Sequence, residues 1–495
     1  MTGRLIVLSN RIPTAGPPSG GLVVAIDELL AERGGLWIGS GDDFVDTPSE
    51  SLQPIQGGSG YNKAIFDLTE QEHKEFYLGY ANSVLWPLCH HRPDLIAFDR
   101  RYAESYATVN ARVAKMLAEI IAPDDLIWVH DYHFLPLAQE LKRLGVSARV
   151  GLFLHIPFPT LPDLNALPER EQFYQWLAAF DLVGLQTEAD VACCLQCFRA
   201  QETGEMLFDG RLKFQDQTFA VRSFPIGIDA KSFFSIAEKP LKDDPLHLRK
   251  EDRLILGVDR LDYSKGLTHR VRGFGKWLEK RGAKSPRGTL VQITPPSREL
   301  VAAYQDIARE LEALVGHFNG RYGELDWTPI RLLEHAVPRE TLAPLYRLAD
   351  IGLVTPLADG MNLVAKEYIA AQDPDDPGVL ILSRAAGAAE QMTDALLVNP
   401  HDSEEIGDAI ERALSMSCDE RKARHKALMQ VVRDTDIFEW GAGYLDCLER
   451  LEIASAGPFD EQGRFCRKSE RKSDPTMGEV CRDQSLDHGN PQKIG

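Results

Sequence analysis

Two cations, Arg260 and Lys265, stand five residues apart in Asp259-Arg260-Leu261-Asp262-Tyr263-Ser264-Lys265-Gly266, where an apolar run gives way to a helix-like one. At that spacing both charges can converge on one diphosphate, assisted by amides at the start of the following helix. A second stretch, Val354 to Glu367, carries one acid, Asp359, and one glycine, Gly360, in a turn between an apolar run and a helix-like run. Such a turn aims free backbone N–H groups and the positive end of a helix dipole at whatever binds there, typically a phosphate. Glu367, five residues past Asn362, is placed to reach ribose hydroxyls. Asp131, His155 and Asp359 offer hydrogen bonds to sugar hydroxyls, and Arg11 and Arg298 are placed to grip a second anion.

Apart from Glu367, which lies within a helix-like run, these residues fall at or shortly after the end of an apolar run. Strand-like runs are expected at Arg4 to Ser9, Leu126 to Val129, Arg149 to Leu154, Asp181 to Leu185, Leu254 to Val258, Thr289 to Thr294, Asp350 to Val354 and Val379 to Leu382. They alternate with helix-like runs at Leu22 to Glu32, Tyr106 to Ile121, Glu188 to Arg199, Leu363 to Gln372 and Ser403 to Leu451. This is the grammar of a doubly wound α/β sheet, which binds ligands beyond the carboxyl ends of its strands. Asp209-Gly210 marks a hairpin. The charged, Pro-bearing segment Glu238 to Asp252 divides the alternation, so two Rossmann-like domains are expected, at 1–235 and 236–455, facing each other across a cleft. The last helix of the second is expected to pack back on the first. Residues 456–495 carry seven basic and seven acidic side chains without apolar periodicity and are expected to form a disordered tail.

A formal charge of -19 over 495 residues argues against nonspecific binding to nucleic acid or to an anionic membrane. The chain runs directly into its first strand without a signal peptide, and no apolar run is long enough to span a bilayer, so a cytoplasmic location is expected. The eight cysteines are irregularly spaced, and Cys193, Cys194 and Cys197 have no neighbouring histidine, which reads as reduced structural thiols. There is no Walker A motif, no dinucleotide fingerprint and no obvious D-x-D metal motif in a suitable loop, so kinase, dehydrogenase and metal-dependent transferase chemistry lose ground. Transfer of a sugar from a nucleotide diphosphate, with protein cations stabilising the leaving group, fits what remains.

The strings L-S-N-R, V-L-W-P, W-V-H-D-Y-H, L-H-I-P-F-P, R-L-D-Y-S-K-G, N-G-R-Y-G and V-T-P-L-A-D-G-M-N-L-V-A-K-E-Y occur in this order. Over residues 4 to 452 the chain resembles the trehalose-6-phosphate synthase family. The resemblance implies a GT-B fold and a retaining transfer of glucose from UDP-glucose to glucose 6-phosphate, without metal or cofactor, in trehalose biosynthesis. It also implies a homodimer or homotetramer. By motif, Arg260 and Lys265 hold the diphosphate, the backbone at Asn362, Leu363 and Val364 caps it, and Glu367 binds the ribose. His155, Asp359, Gly360 and Met361 line the donor glucose, with Gly21 close to it. Asp131 and Trp86 face the acceptor sugar, and Arg11, Tyr77 and Arg298 its phosphate. Asp131, His155, Arg260 and Lys265 are the catalytic set. Asp359 is implied as a sugar ligand and not a nucleophile, because in this family the leaving phosphate takes the acceptor proton on the same face.

One departure stands out. The family shows a tryptophan in a G-W-S-G string near the acceptor phosphate, and this chain reads Gly39-Ser40-Gly41. An altered acceptor, an altered nucleotide base, or a non-catalytic sensor of nucleotide sugars are the alternatives.

Overall fold

In the computed structural model of the chain the described residues are 3–14, 21–56, 60–241, 246, 249, 251–282, 286–298 and 301–451. The segment 456–495, expected above to be a disordered tail, lies outside them.

The first half builds a ten-stranded sheet from β1 (Leu5–Arg11), β2 (Leu36–Phe44), β3 (Gln53–Ile55), β4 (Asn62–Leu68), β5 (Leu126–His130), β6 (Arg149–Phe153), β7 (Leu182–Leu185), β8 (Gly204–Met206), β9 (Leu212–Phe214) and β10 (Gln217–Ser223). Its order is β3-β4-β2-β1-β5-β6-β7-β10-β9-β8. The central strands pair parallel, with Leu5 opposite Leu126 and Leu126 opposite Arg149, which puts the carboxyl ends of β1, β5 and β6 on one edge. The hairpin at Asp209-Gly210 joins β8 and β9 antiparallel, and Gly210 takes a positive φ of 77° there. The central strands β5 to β7 are buried along almost their whole length, as expected where helices cover both faces of a parallel sheet.

The second half repeats the plan with six parallel strands: β11 (Arg253–Val258), β12 (Gly288–Ile293), β13 (Ile330–Leu333), β14 (Ile351–Val354), β15 (Val379–Ser383) and β16 (Leu396–Val398), ordered β13-β12-β11-β14-β15-β16. The final helix, Ile437–Arg450, lies on the first sheet: Tyr444 Oη donates to the Leu152 carbonyl at 3.0 Å, and its ring stacks on Trp128 at 4.7 Å. Cys193 and Cys197 share a helix face and direct their thiols at the Pro159 carbonyl, at 3.6 and 3.7 Å. Among the described residues no helix is long and apolar enough to cross a membrane.

Sequence periodicity does not show two parts of this fold. Strands β2, β3 and β4, toward one edge of the sheet, carry Gly, Pro and Asp inside short runs, which suppresses their β signal. The aromatic run after Glu72 forms a π-helical segment, His73–Leu85, in which the Trp86 N–H reaches back to the Ala81 carbonyl. Its apolar positions fit neither a 3.6-residue nor a two-residue repeat.

A buried cation holds the second sheet's strand ends together. Arg270 is fully buried and pairs with Asp259, past the end of β11, at 2.6 Å. It also donates to Gln292 of β12 at 2.9 Å and to Thr355, just past β14, at 3.1 Å. Removing one partner of a buried pair strands the other charge, at a cost of about 3–5 kcal/mol. Asp259→Ala is therefore expected to lower unfolding stability by about that amount in urea titrations, whereas Arg253→Ala at the exposed pair with Asp350 changes it by less than about 1 kcal/mol.

Candidate functional site

The carboxyl ends of the two sheets meet at residue 360. A Cβ added to Gly360 would lie 2.1 Å from the His155 carbonyl oxygen, so the turn after β14 touches the loop after β6 backbone to backbone. Asp359 is fixed there from both sides: its N–H donates to the Ala385 carbonyl at 3.1 Å, and its carboxylate accepts from Lys265 Nζ at 2.6 Å and from Asn362 Nδ2 at 3.0 Å. The carboxylate is thus neutralised and held as an oriented hydrogen-bond acceptor. Asn362 has φ 77° and caps the helix Leu363–Ala371 by accepting from the Ala365 N–H at 3.2 Å. The N–H groups of Leu363 and Val364 meet no backbone acceptor among the described residues, which leaves them for an anion. Met361 is buried beneath this turn.

Glu367 follows one helical turn on, with Tyr346 Oη 3.5 Å from its carboxylate. Burial pushes its carboxyl up to about 7, against a smaller opposing pull from Arg339. Gly21 opens the helix Gly21–Arg33, and residues 15–20 of the loop before it lie outside the described ones.

On the first sheet, Asp131 follows β5 with φ 68°, a backbone conformation that costs roughly 1–3 kcal/mol for a residue other than glycine. The turn is secured because its N–H donates to the Phe153 carbonyl at 2.7 Å and its carboxylate accepts from the His155 N–H at 3.3 Å. Burial raises the Asp131 carboxyl to about 7, partly offset by the N–H groups of His155 and Tyr132 and by the charges of Arg298 and Arg260. His155 is pushed down to about 3 by burial, so its ring is neutral at physiological pH.

Arg298 crosses from the second half to the first. Its guanidinium lies 3.9 Å above the centre of the Trp86 ring, donates to Tyr132 Oη at 3.1 Å and to Tyr304 Oη, and stands 3.4 Å from Asp262. Arg260, exposed, approaches the same ring at 5.9 Å. Trp86 is 4% exposed, so in this state it is a platform for two cations more than an open sugar face. Arg11, the last residue of β1, lies 5.5 Å from the Tyr77 ring centre, and Tyr77 stacks on His133 at 5.7 Å. His133 is pushed down to about 3, first by burial and then by the charges of Arg298 and Arg11. Ser40 pairs in register with Arg11 and donates to the Asn10 carbonyl at 2.8 Å. It lines a cavity of about 80 Å³ with Arg11, His73 and Tyr77.

Sequence reasoning passed over the supports of this site. Asp262, Tyr132 and Tyr304 hold Arg298, with Tyr304 Oη donating to Asp262 at 2.9 Å. Lys366, fully buried beside Glu367, donates to the Ile226 carbonyl at 2.8 Å, to Gln391 at 3.2 Å and to Thr435 at 3.3 Å. Asp262 and Lys366 lie inside the motifs themselves, and a Lys in a helix whose other residues, Glu367 apart, are apolar or aromatic is the available signal for Lys366. Among the described residues no cluster of three or more His, Cys, Asp or Glu side chains is arranged to hold a metal ion.

Two sheets with parallel centres that close on one cleft, with an anion-binding turn on one side and a carboxylate and histidine on the other, are the arrangement of a GT-B glycosyltransferase. The sequence profile of glycosyltransferase family 20 matches residues 9–450, and the chain belongs to that family. A trehalose-6-phosphate synthase from Klebsiella pneumoniae subsp. pneumoniae is 44% identical over 468 residues, which are 93% of this chain and 97% of that protein. The Escherichia coli structure bound with UDP-2-fluoro glucose superposes with a TM-score of 0.87 at 42% identity, covering 91% of this chain and 100% of that one. The Burkholderia xenovorans α,α-trehalose-phosphate synthase (UDP-forming) in complex with glucose-6-phosphate gives a TM-score of 0.86 at 40% identity, covering 90% and 100%.

The raised carboxyl of Glu367 has a thermodynamic consequence. Unfolded, it ionises near its ordinary 4.5; folded, it keeps its proton to about 7, so folding takes up a proton between those values. Its contribution to stability is complete below about 4.5 and is lost as the pH rises through about 7. Glu367→Gln keeps the uncharged form, and the fall in melting temperature of the ligand-free protein between pH 5 and 8 is expected to be shallower in this variant by calorimetry.

Proposed function

We propose that this chain transfers glucose from UDP-glucose to glucose 6-phosphate, releasing UDP and forming α,α-trehalose 6-phosphate with retention at the anomeric carbon. The observation that carries this reading is the meeting of Asp131, His155, Arg298 and the Lys265–Asp359–Asn362 turn at one cleft, in a chain whose relatives include synthases solved with a UDP-glucose analogue and with glucose 6-phosphate.

In this reading Arg260, Lys265 and the amides of Leu363 and Val364 take the diphosphate and stabilise its charge as the sugar bond breaks. Lys265 then exchanges or shares its bond to Asp359, and Asp359 turns its acceptor oxygens to glucose hydroxyls. Glu367 accepts from the ribose. Asp131 orients the acceptor sugar, and Arg298, Arg11 and Tyr77 hold its phosphate. With Asp359 already paired to Lys265 and hydrogen-bonded by Asn362, its carboxylate is occupied as an acceptor and does not stand free as a nucleophile, which fits proton transfer to the leaving phosphate on the same face. The division into an acceptor domain over 1–235 and a donor domain over 236–455, assembly as a homodimer or homotetramer, and action in the cytoplasm complete the proposal.

Incubation of the protein with UDP-glucose and glucose 6-phosphate is expected to release UDP and trehalose 6-phosphate; folded protein that releases neither overturns the reading. Arg298→Ala is expected to raise the KM for glucose 6-phosphate about tenfold or more, the worth of one lost charge-assisted hydrogen bond, with a smaller change for UDP-glucose. An equal rise in both would remove Arg298 from the acceptor phosphate. Ser40 supports a second reading, another phosphorylated acceptor, because no indole stands over the cavity it shares with Arg11. A panel of sugar phosphates decides between the two by their kcat/KM values.

A further inference from the structure

His130, the last residue of β5, is buried and lies behind His155. Its Nδ1 is 3.0 Å from His155 Nε2, and the two rings stack 22° from parallel with centres 5.3 Å apart. One of the two nitrogens in this contact carries the proton. The surroundings decide which. The other nitrogen of His130, Nε2, is buried without a hydrogen-bond partner, enclosed by Trp128 at 4.4 Å and by Trp440 of the helix Ile437–Arg450 at 6.1 Å, ring centre to ring centre. The indole N–H groups of Trp128 and Trp440 are themselves buried without an acceptor, so the cluster already has donors in excess. An N–H on His130 Nε2 would add a third, whereas a bare lone pair adds none; orphaned buried donors are the rarer case. His130 therefore protonates at Nδ1 and donates to His155 Nε2.

We infer that His130 is a positioning residue which locks the His155 ring as the Nδ1–H tautomer, so that His155 meets the nucleotide sugar as a hydrogen-bond donor to one of its hydroxyl oxygens. His155 Nδ1 has no protein partner among the described residues and is the atom left for a ligand. The backbone of His155 is fixed independently, by its N–H to Asp131 at 3.3 Å and by the contact of its carbonyl with Gly360. Ring and main chain are thus held by adjacent residues of one strand end, His130 and Asp131. The charged groups that bear on the pair are few: both rings are driven toward the neutral form by burial, with His155 the further influence on His130. The part that concerns the sugar rests on the proposed donor, UDP-glucose; the tautomer does not.

Nitrogen-15 NMR of histidine-labelled full-length protein without ligand reads the tautomer directly. The expected result is His155 protonated at Nδ1, assigned by loss of its signal in His155→Asn; protonation at Nε2 overturns the inference whatever the enzyme turns over. In kinetics, His130→Phe, which keeps an aromatic ring in the cluster, is expected to raise the KM for UDP-glucose about tenfold while that for glucose 6-phosphate stays within about twofold. His130→Asn, whose amide N–H can take the place of Nδ1–H, is expected to recover most of that loss. Equal changes in both KM values, or no recovery with Asn, refute a positioning role. If the wild-type protein turns over neither substrate, the functional reading fails while the NMR result still decides the tautomer, as it does if His130→Phe does not fold.

Discussion

The backbone contact between Gly360 and His155 is the constraint on which the rest of the site depends. With a Cβ position only 2.1 Å from the His155 carbonyl, no side chain fits at 360 unless the two sheets separate. That contact brings the turn of one parallel sheet within hydrogen-bond reach of the strand ends of the other. Everything nearby is arranged to keep it: Asp359 is tied to Ala385, Lys265 and Asn362, and a Cβ on Gly387 would meet the Gly360 carbonyl at 1.8 Å. The glycine turn therefore does more than free amides for an anion. It sets the distance between the two halves of the cleft.

The second requirement is to hold cations in a strongly acidic chain without losing them to surface carboxylates. Arg298 meets it by burial and stacking: Trp86 supplies a ring face, Tyr132 and Tyr304 supply oxygens, and Asp262 a single carboxylate at 3.4 Å. Such a network keeps the guanidinium rigid while leaving part of its charge uncompensated, because cation–π and phenol contacts do not neutralise it. Arg270 shows the opposite arrangement. Its charge is balanced by Asp259 and its remaining donors are used, so it serves the strands and not a ligand. The two arginines differ in function because of what surrounds them, not because of their type.

The strand-and-helix alternation was legible because strands buried on both faces read as unbroken apolar runs, and the polar residues at their ends marked the functional edge. The helix Glu188–Arg199 and the strand start at Leu126 fall where the periodicity places them. The lining of the cleft was legible for the same reason, since Asp131, His155, Arg260 and Asp359 each follow an apolar run. What sequence could not show is how those side chains are held. The partners of Arg298 lie 6, 36 and 166 residues away, and those of Lys366 up to 140. The π-helical segment His73–Leu85, which delivers Tyr77 and leads into Trp86, was hidden because its hydrogen-bond period matches no common apolar repeat. Lys265 was legible as a cation but not as the partner of Asp359, ninety-four residues away.

The end of β5 shows why adjacent residues take such different parts. Along a strand, successive side chains point to opposite faces, so His130 faces the aromatic cluster under the final helix. At Asp131 the strand stops, and φ 68° swings the next side chain out of that alternation toward the loop after β6. A strand that continued regularly would bury Asp131 on the other face of the sheet or leave it directed away from the cleft. The strained turn is stabilised by its bond to Phe153 and by the His155 N–H, both of which belong to the neighbouring strand's end. Two strands therefore fix one another's functional groups: β6 holds the Asp131 turn in place, and β5 holds the ring of His155. The helix Ile437–Arg450 closes this exchange by walling His130 with Trp440, which couples that helix to the ring that faces the cleft.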